Sequence, residues 1–328
     1  MKAIIPAAGI GTRLRPHTHS RPKAMLEVAG KPIIGHIIDT VLQSDPEEIF
    51  IIVGYKKEVL TEWVSKTYPD QKITYIEQEK MLGLGHAVLM AEKHISGDDA
   101  LFILLGDTLV DIDSRAFTSS RVSSLGVKTV DDPRRFGVVE LKNDRILKLI
   151  EKPQNPPTNL ALIGVYFIKS SKRLFDAIHY IIDNNITTKG EYQITDALNR
   201  CVELGEEMTV HKVDNWFDCG TYETLLETNK FLLSKTCCTE SRLLGDSVII
   251  EPVIIGKNVT IKHSVVGPFC SIADDCVLEN TIVSNSILYE KATLKNASLV
   301  DSILGENTVF AKKSDHVNIG AHSEITYN

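Results

Sequence analysis

A short stretch near the start of the chain combines residue types that bind phosphate. Its sequence, GIGTRLRP at residues 9–16, follows an apolar run, and the pair PK follows at Pro22–Lys23. Glycines let a backbone approach a ligand closely and turn its N–H groups toward an anion, and Arg13 and Lys23 supply positive charge. Loops that follow strands of an open parallel sheet lie at the edge where ligands bind. These residues therefore predict a phosphate-binding loop.

The order of residues within this loop excludes two familiar phosphate loops. A dinucleotide-binding loop has a third glycine and continues into a helix, but Leu14 replaces that glycine and Pro16 stops the helix. A P-loop ends in Gly-Lys followed by Ser or Thr, and this loop has no such ending. The pattern that remains is GxGTRLxP followed by PK.

An aspartate ends the most apolar segment of the chain. Asp107 follows ALFILLG, residues 100–106, and a lone carboxylate at the end of a buried strand is costly unless a cation meets it. The ordinary alternative is that an aspartate at such a position only caps the strand or starts a turn. Asp107 is therefore a candidate cation ligand, and it needs a partner from elsewhere in the chain.

The segments around these residues alternate between the patterns of strands and helices. EIFIIVGY at residues 48–55 is typical of a buried strand, and PIIGHIIDTVLQS at residues 32–44 has the apolar spacing of a helix. Such alternation predicts a parallel sheet covered on both faces. Fewer helices separate the apolar runs between residues 135 and 168, so we expect the sheet to become mixed there.

From about Ser247 the pattern changes, and helical spacing disappears. Aliphatic residues recur in steps of five or six, with the turn formers Gly, Asn, Asp and Ser between them. The recurring residues are Ile255, Ile261, Val266, Ile272, Leu278, Val283, Leu288 and Leu294. A short fixed period of this kind predicts a parallel β-helix of hexapeptide-type repeats, whereas a β-sandwich needs longer strands and wider turn spacing. We therefore expect two domains, residues 1–236 and 237–328.

The overall composition excludes several classes of function. The 328 residues carry a net charge of −7, which argues against a general nucleic-acid or anionic-membrane binder. No apolar run approaches the roughly 18–20 residues of a membrane span, and the apolar start is too short, before Pro6, for a signal peptide. The six cysteines form no zinc-binding pattern. Free thiols in a reducing cytoplasm are the expected state.

Eight motifs, in order along nearly the whole chain, resemble those of the sugar-nucleotide pyrophosphorylases, which are nucleotidyltransferases acting on sugar 1-phosphates. They are the loop at 9–16, Pro22–Lys23, Gly83–Val88, Gly106–Asp107, Arg135–Glu140, Glu151–Pro153, Gly164–Ile168 and Trp216–Thr221. The resemblance implies an α/β fold, in which a Rossmann-like nucleotidyltransferase domain with a mixed, mainly parallel sheet precedes a left-handed parallel β-helix. It also implies nucleoside triphosphate and sugar 1-phosphate substrates.

The resemblance assigns residues to the nucleotide. Arg13 would neutralise the leaving pyrophosphate, Lys23 would contact the α-phosphate, and Asp107 would join Asp218 in holding one Mg²⁺ as the cofactor. The residues implied to bind the nucleotide are Ala8, Gly9, Gly11, Thr12, Gln78 and Gly83. For Gln78, an exposed side chain at a strand end is the ordinary alternative.

The resemblance likewise assigns residues to the sugar 1-phosphate. Lys152 would hold the phosphate, Glu151 the sugar hydroxyls, and the backbones of Gly137 and Gly164 would close on the sugar. At Ala8 many thymidylyl- and guanylyltransferases have glycine, whereas uridylyltransferases often have alanine, so the nucleotide stays open.

The function implied is transfer from dTTP or UTP to a sugar 1-phosphate, with glucose 1-phosphate favoured. GTP with mannose 1-phosphate is the alternative, and a catalytically silent regulatory subunit of the same fold is another. A further acyltransferase activity in the β-helix would need a histidine base, and His263, His316 and His322 are the candidates. We expect instead that the β-helix supports a cytoplasmic homo-oligomer that binds neither membrane nor nucleic acid.

Overall fold

The computed structural model describes residues 1–143, 145–236 and 241–313. The chain divides into two compact units, Met1–Thr228 and Asn229–Asn328. The predicted boundary, after residue 236, lies slightly later in the sequence. Within the described residues, no helix combines the length and the apolar character that crossing a membrane requires. Cys237, Cys238, His316 and His322 lie outside the described residues.

The first unit alternates strands and helices along the sequence. Its strands are β1 (Lys2–Pro6), β2 (Glu27–Val28), β3 (Lys31–Pro32), β4 (Ile49–Val53), β5 (Ile73–Glu77), β6 (Leu101–Leu104), β7 (Thr108–Val110), β8 (Ser123–Thr129), β9 (Gly137–Lys142), β10 (Arg145–Glu151), β11 (Leu160–Ile168), β12 (Met208–Lys212) and β13 (Trp216–Asp218). The helices are α1 (Ile33–Leu42), α2 (Lys57–Thr67), α3 (Leu84–Leu89), α4 (Ser114–Thr118), α5 (Ser171–Asp183), α6 (Ile194–Glu203) and α7 (Tyr222–Thr236), and α7 contains the division between the units.

Nine of these strands form one mixed sheet in the order β5-β4-β1-β6-β11-β8-β12-β10-β9. β1, β4, β5 and β6 pair in parallel, as their alternation with helices predicts. β11 runs antiparallel to both β6 and β8, so the sheet becomes mixed where helices become sparse. The predicted mixed α/β architecture of the first unit is therefore confirmed.

Burial on both faces explains why the central strands are apolar throughout. All residues of β4, β6 and β11 are buried. α5 places Leu174, Phe175 and Ile178 against the same core, while its opposite side faces water. In a strand that is covered on both faces, alternation of apolar and polar residues would bury polar side chains on one face, so such a strand is apolar throughout. Because these strands are held on both faces, the loops that follow them start from fixed positions at the edge of the sheet.

The second unit is a stack of short parallel strands. They are β14 (Ser241–Leu244), β15 (Ser247–Ile250), β16 (Val253–Ile255), β17 (Thr260–Lys262), β18 (Val265–Val266), β19 (Cys270–Ile272), β20 (Val277–Ser284), β21 (Ile287–Leu288), β22 (Thr293–Val300), β23 (Ile303–Leu304) and β24 (Val309–Ala311). β14 and β15 pair antiparallel, and all other pairs in this unit are parallel, with the paired residues 16 or 17 positions apart in the chain.

The recurring aliphatic residues form continuous columns inside this stack. Ile255 pairs with Ile272, and Ile272 pairs in turn with Leu288. Three of the predicted steps therefore make one turn. Between the strands, asparagine and aspartate residues adopt positive φ, a conformation that these two side chains tolerate better than most. The predicted five- and six-residue period is confirmed in this pairing.

Candidate active site

A two-stranded ribbon brings the two candidate cation ligands together. β13 pairs antiparallel with β7, which places Asp218 opposite Thr108. The N–H of Cys219 also donates to the carbonyl oxygen of Asp107 at 3.1 Å. Asp107 and Asp218 are therefore neighbours, although about half of the first unit separates them in sequence. The carboxylates stay partly open to solvent, with 41% and 26% of their side-chain surfaces exposed.

Lys23 places its ammonium between these two carboxylates. Its Nζ lies 2.6 Å from Asp107 Oδ2 and 3.8 Å from Asp218 Oδ1, and only 9% of its side-chain surface is exposed. A buried ammonium needs opposite charge nearby, and the carboxylates provide it. A cation can therefore be held at the point where both carboxylates converge. Cys219, beside them, is a fully buried thiol whose pKa burial raises to about 12, so it stays neutral.

The glycine loop is packed against Lys23 from the other side. Gly11 has φ +70°, and a Cβ there would lie 2.8 Å from Lys23 Cβ. Thr18 Oγ1 donates to the carbonyl oxygen of Gly11 at 3.0 Å, which fixes the turn. A Cβ added at Gly9 would meet no atom within 4 Å, so a ligand can approach the backbone on that side. Gly11 shapes the loop, whereas Gly9 leaves room above it.

Gly11→Ala should destabilise the protein by about 2–4 kcal/mol, because it adds positive-φ strain to a contact inside the loop. Gly205→Ala is the matched control, since Gly205 also has positive φ but a Cβ added there would meet no atom within 4 Å. We expect this control to cost about 1 kcal/mol. Urea unfolding of both variants measures the difference, and equal losses would show that the contact with Lys23 contributes nothing.

The first cavity, of about 450 Å³, lies at the end of β1 and holds most residues predicted to bind the nucleotide. Gln78 and Gly83 line this cavity together with residues of the loop. The Gln78 side chain is buried, which excludes the ordinary alternative of an exposed glutamine. The predicted residues on this cavity are Ala8, Gly9, Arg13, Lys23, Gln78, Gly83 and Asp107. A nucleotide could thus have its phosphates at the loop and its base near Gln78.

The second cavity, of about 260 Å³, adjoins the first and holds the residues predicted to bind sugar phosphate. Lys152 Nζ lies 3.0 Å from Glu151 Oε1, and the other carboxylate oxygen accepts from Thr195 Oγ1 at 2.7 Å. The predicted residues on this cavity are Arg13, Asp107, Gly137, Glu151, Lys152, Gly164 and Asp218. Arg13 and Asp107 line both cavities, so they mark the place where two ligands would meet.

Two of the glycines in this cavity are tightly enclosed. A Cβ on Gly137 would lie 2.8 Å from Thr195 Oγ1 and 3.0 Å from Glu151 Oε2. Gly164 has φ +80° and packs against Leu105 in the same way. Their backbones therefore form the cavity wall directly. In contrast, Gly11 and Thr12, which were also predicted to bind the nucleotide, do not line either cavity.

Several residues on the cavity walls were not among the predicted site residues. Thr195 orients Glu151 from the start of α6, and Tyr166 lies beside the same carboxylate. Burial and the Glu151 and Asp107 carboxylates raise the pKa of Tyr166, which keeps its phenol protonated. Arg135 and Trp216 also line the second cavity and do fall within the motifs RFGVVE and WFDCGT. The family motifs could therefore have identified Arg135 and Trp216, whereas Thr195 lies in no motif.

Comparisons with known proteins agree with this arrangement. A family model described as "Nucleotidyl transferase" matches residues 2–235. The chain is 36% identical to the "Bifunctional protein GlmU" of Methanocaldococcus jannaschii, over 97% of this chain and 81% of that protein. It is 31% identical to a glucose-1-phosphate thymidylyltransferase of Streptomyces griseus, over 98% of each.

A solved structure extends the agreement to the fold. A UDP-glucose pyrophosphorylase complexed with UDP-glucose superposes with a TM-score of 0.61 at 26% identity, covering 71% of this chain and 98% of that one. The motif order along the sequence and the whole-length relatives thus point the same way. The chain belongs to the nucleotidyl transferase family, among the sugar-nucleotide pyrophosphorylases, and it is an enzyme of nucleotidyl transfer.

Proposed function

We propose that the protein transfers a nucleotidyl group from dTTP or UTP to a sugar 1-phosphate, with glucose 1-phosphate as the preferred acceptor. A phosphate oxygen of the sugar 1-phosphate attacks the α-phosphorus, and the bond from that phosphorus to the oxygen bridging to the β-phosphate breaks, releasing pyrophosphate. The observation that carries the proposal is the pair of adjoining cavities that share Arg13 and Asp107. Substrates in the two cavities would bring their phosphates together beside these residues.

The cationic side chains of the first cavity suit a triphosphate. Phosphoryl transfer asks the protein mainly for positioning and charge neutralisation. Lys23, held at the end of the loop, is the group we assign to the α-phosphate. Arg13 is the group we assign to the pyrophosphate that leaves. Its Nη2 and Asp218 Oδ1 border the same small space above Gly220, so the guanidinium is directed toward the carboxylate pair.

In the second cavity we assign Lys152 to the phosphate of the sugar and Glu151 to its hydroxyls. Both oxygens of Glu151 already have partners, Lys152 and Thr195. The carboxylate is thus held in one orientation, which favours recognition of hydroxyls at fixed positions. The enclosed backbones of Gly137 and Gly164 would limit the size of the sugar that fits.

We also propose Mg²⁺ as the cofactor, with Asp107 and Asp218 as its protein ligands. Both carboxylates face the Lys23 ammonium, so their charge converges on one point. In residues 1–143, 145–236 and 241–313, no group of three or more His, Cys, Asp and Glu could hold a metal ion. A site with two carboxylates therefore depends on phosphate oxygens and water, which Mg²⁺ accepts readily. When bound, the ion supplies charge neutralisation for the triphosphate.

The names of the relatives support the choice of pyrimidine nucleotide and glucose. The Streptomyces griseus relative is named for thymidylyl transfer to glucose 1-phosphate, and the solved structure contains UDP-glucose. Gln78 supports it as well, because a glutamine amide can pair with the imide edge of uracil or thymine.

For the second unit we propose a left-handed β-helix that supports assembly into a homo-oligomer. The parallel pairing at intervals of 16 or 17 residues supports the first part. Exposed apolar side chains on its strands, including Leu243, Ile282 and Val300, support the second. Cytoplasmic location is part of the same proposal, since the described cysteines Cys201, Cys219, Cys270 and Cys276 are free and buried.

Pyrophosphate release from a matrix of substrates tests the proposal. Purified protein is mixed with dTTP, UTP, GTP or CTP and with glucose, mannose or N-acetylglucosamine 1-phosphate, with Mg²⁺ or with EDTA. We expect pyrophosphate only when a triphosphate, a sugar 1-phosphate and Mg²⁺ are all present, and fastest with dTTP or UTP and glucose 1-phosphate. If no pair of substrates released pyrophosphate, the proposal would be contradicted. A preference for GTP with mannose 1-phosphate would show that these are the substrates instead of dTTP or UTP with glucose 1-phosphate.

A further inference from the structure

The side-chain amide of Gln78 is held by two acceptors at the edge of the first cavity. Its Nε2 lies 3.2 Å from the carbonyl oxygen of Gly83 and 3.1 Å from His86 Nδ1. A carbonyl oxygen can only accept, so the atom beside Gly83 must be the nitrogen of the amide. That nitrogen can only donate, so His86 Nδ1 must accept from it. The two contacts together fix both the orientation of the amide and the tautomer of the imidazole.

This arrangement uses the full donor capacity of Gln78. An amide nitrogen carries two hydrogens, and here one is given to Gly83 and the other to His86. Among the described residues, no other hydrogen bond involves the Gln78 side chain, so Oε1 is the polar atom left for a ligand. Gln78 is buried, and therefore water competes poorly for that oxygen.

His86 is suited to the role of a permanent acceptor. Burial lowers the pKa of its imidazole, which favours the neutral ring with a free lone pair. It lies on α3 and lines a separate cavity of about 600 Å³, while Leu84 and Ala87 of the same helix line the nucleotide cavity. Its position is thus set by the helix rather than by a ligand.

We propose that His86 makes Gln78 an acceptor only, and that it thereby restricts the nucleotide cavity to bases that present a ring N–H donor at this position. Uracil and thymine offer N3–H to Oε1, whereas cytosine has a bare N3 that would face another acceptor. Cytosine has the same ring size, so shape alone cannot exclude it. The inference deepens the proposed function, on which it rests, by naming His86 as the positioning residue for base selection.

Direct binding of triphosphates tests this role without requiring turnover. Calorimetry measures the affinities of UTP and CTP for wild type, His86→Leu and His86→Asn. Leucine removes the acceptor and frees the amide to turn, whereas the asparagine Oδ1 can replace Nδ1 as acceptor. His94→Leu is the matched control, because His94 lines the same 600 Å³ cavity but packs against the Phe50 ring.

We expect wild type to bind UTP at least about 100-fold more tightly than CTP, a difference that an unmatched buried acceptor can produce. In His86→Leu this ratio should fall by about tenfold or more, while His86→Asn and His94→Leu stay within about threefold of wild type. In turnover assays the loss should appear in KM for UTP, with kcat and KM for the sugar 1-phosphate unchanged.

Three results would overturn the inference. They are a wild-type ratio near one, an unchanged ratio in His86→Leu, and equal losses in His86→Leu and His86→Asn. Thermal melting of each variant shows whether a loss reflects unfolding, and the asparagine variant and the wild-type ratio remain informative if the leucine variant does not fold. Selective UTP binding without turnover for any sugar 1-phosphate would refute the proposed function and leave the role of His86 standing.

Discussion

Asp107→Asn is expected to lower kcat by about a thousandfold or more while the protein stays folded. The substitution keeps the size of the side chain but removes the carboxylate that lies 2.6 Å from Lys23 Nζ. The catalytic part of this effect arises because the proposed cation acts on charge that develops in the transition state. Stability should fall by only about 1–2 kcal/mol, since Asp107 is 41% exposed and Asp218 still faces the ammonium.

Steady-state kinetics and urea unfolding measure the two effects separately. Asp131→Asn serves as a control, because Asp131 is exposed and does not line either cavity. Mn²⁺ binding followed by electron paramagnetic resonance, with and without UTP, adds a measurement that does not depend on turnover. Near-normal kcat together with unchanged Mn²⁺ binding in Asp107→Asn would refute the assignment of Asp107 as a cation ligand.

Arg13→Gln should lower kcat by about 100- to 1000-fold, the second largest effect that we expect. Arg13 lines both cavities and lies near Asp218, so its charge is placed where the two phosphates would meet. A group that neutralises the leaving pyrophosphate acts mainly on the transition state, and therefore kcat should fall more than KM rises.

Arg15→Gln is the matched control for this prediction, since Arg15 is an exposed arginine in the same loop that lines neither cavity. It should change kcat by less than about threefold. Arg13→Lys should recover part of the loss, because a lysine keeps the charge but not the planar donor geometry. An equal loss in the two glutamine variants, or a loss confined to KM, would show that Arg13 contributes only general positive charge.

The sequence predicts much of this site because the phosphate loop is local. Gly9, Arg13 and Lys23 lie within one short stretch, and the chemistry of those residue types can be recognised without knowledge of the rest of the fold. The convergence of Asp107 and Asp218 is different, because only the family resemblance predicts it. It depends on the β7–β13 ribbon, whose strands are three residues each and too short to give a periodic signal.

Other features could not be predicted because tertiary contacts decide them. Thr195 has no motif of its own, and its role becomes visible only when α6 packs beside the strand that ends at Glu151. Gln78 is polar and directly follows the half-exposed strand β5, yet it is buried, with its nitrogen satisfied by Gly83 and His86. β8, with the sequence SSLGVKT, contains small and polar residues that do not resemble an apolar strand, although its neighbours in the sheet bury most of it.

The regular spacing of the second unit has a consequence for its length. Because each strand meets its neighbour after 16 or 17 residues, inserting or deleting one complete turn returns every inward side chain to its own column. Shorter insertions shift asparagines and lysines into the interior unless they bulge out at a corner. The second unit can therefore gain or lose whole turns, while the first unit, which precedes it in the chain, keeps its own fold.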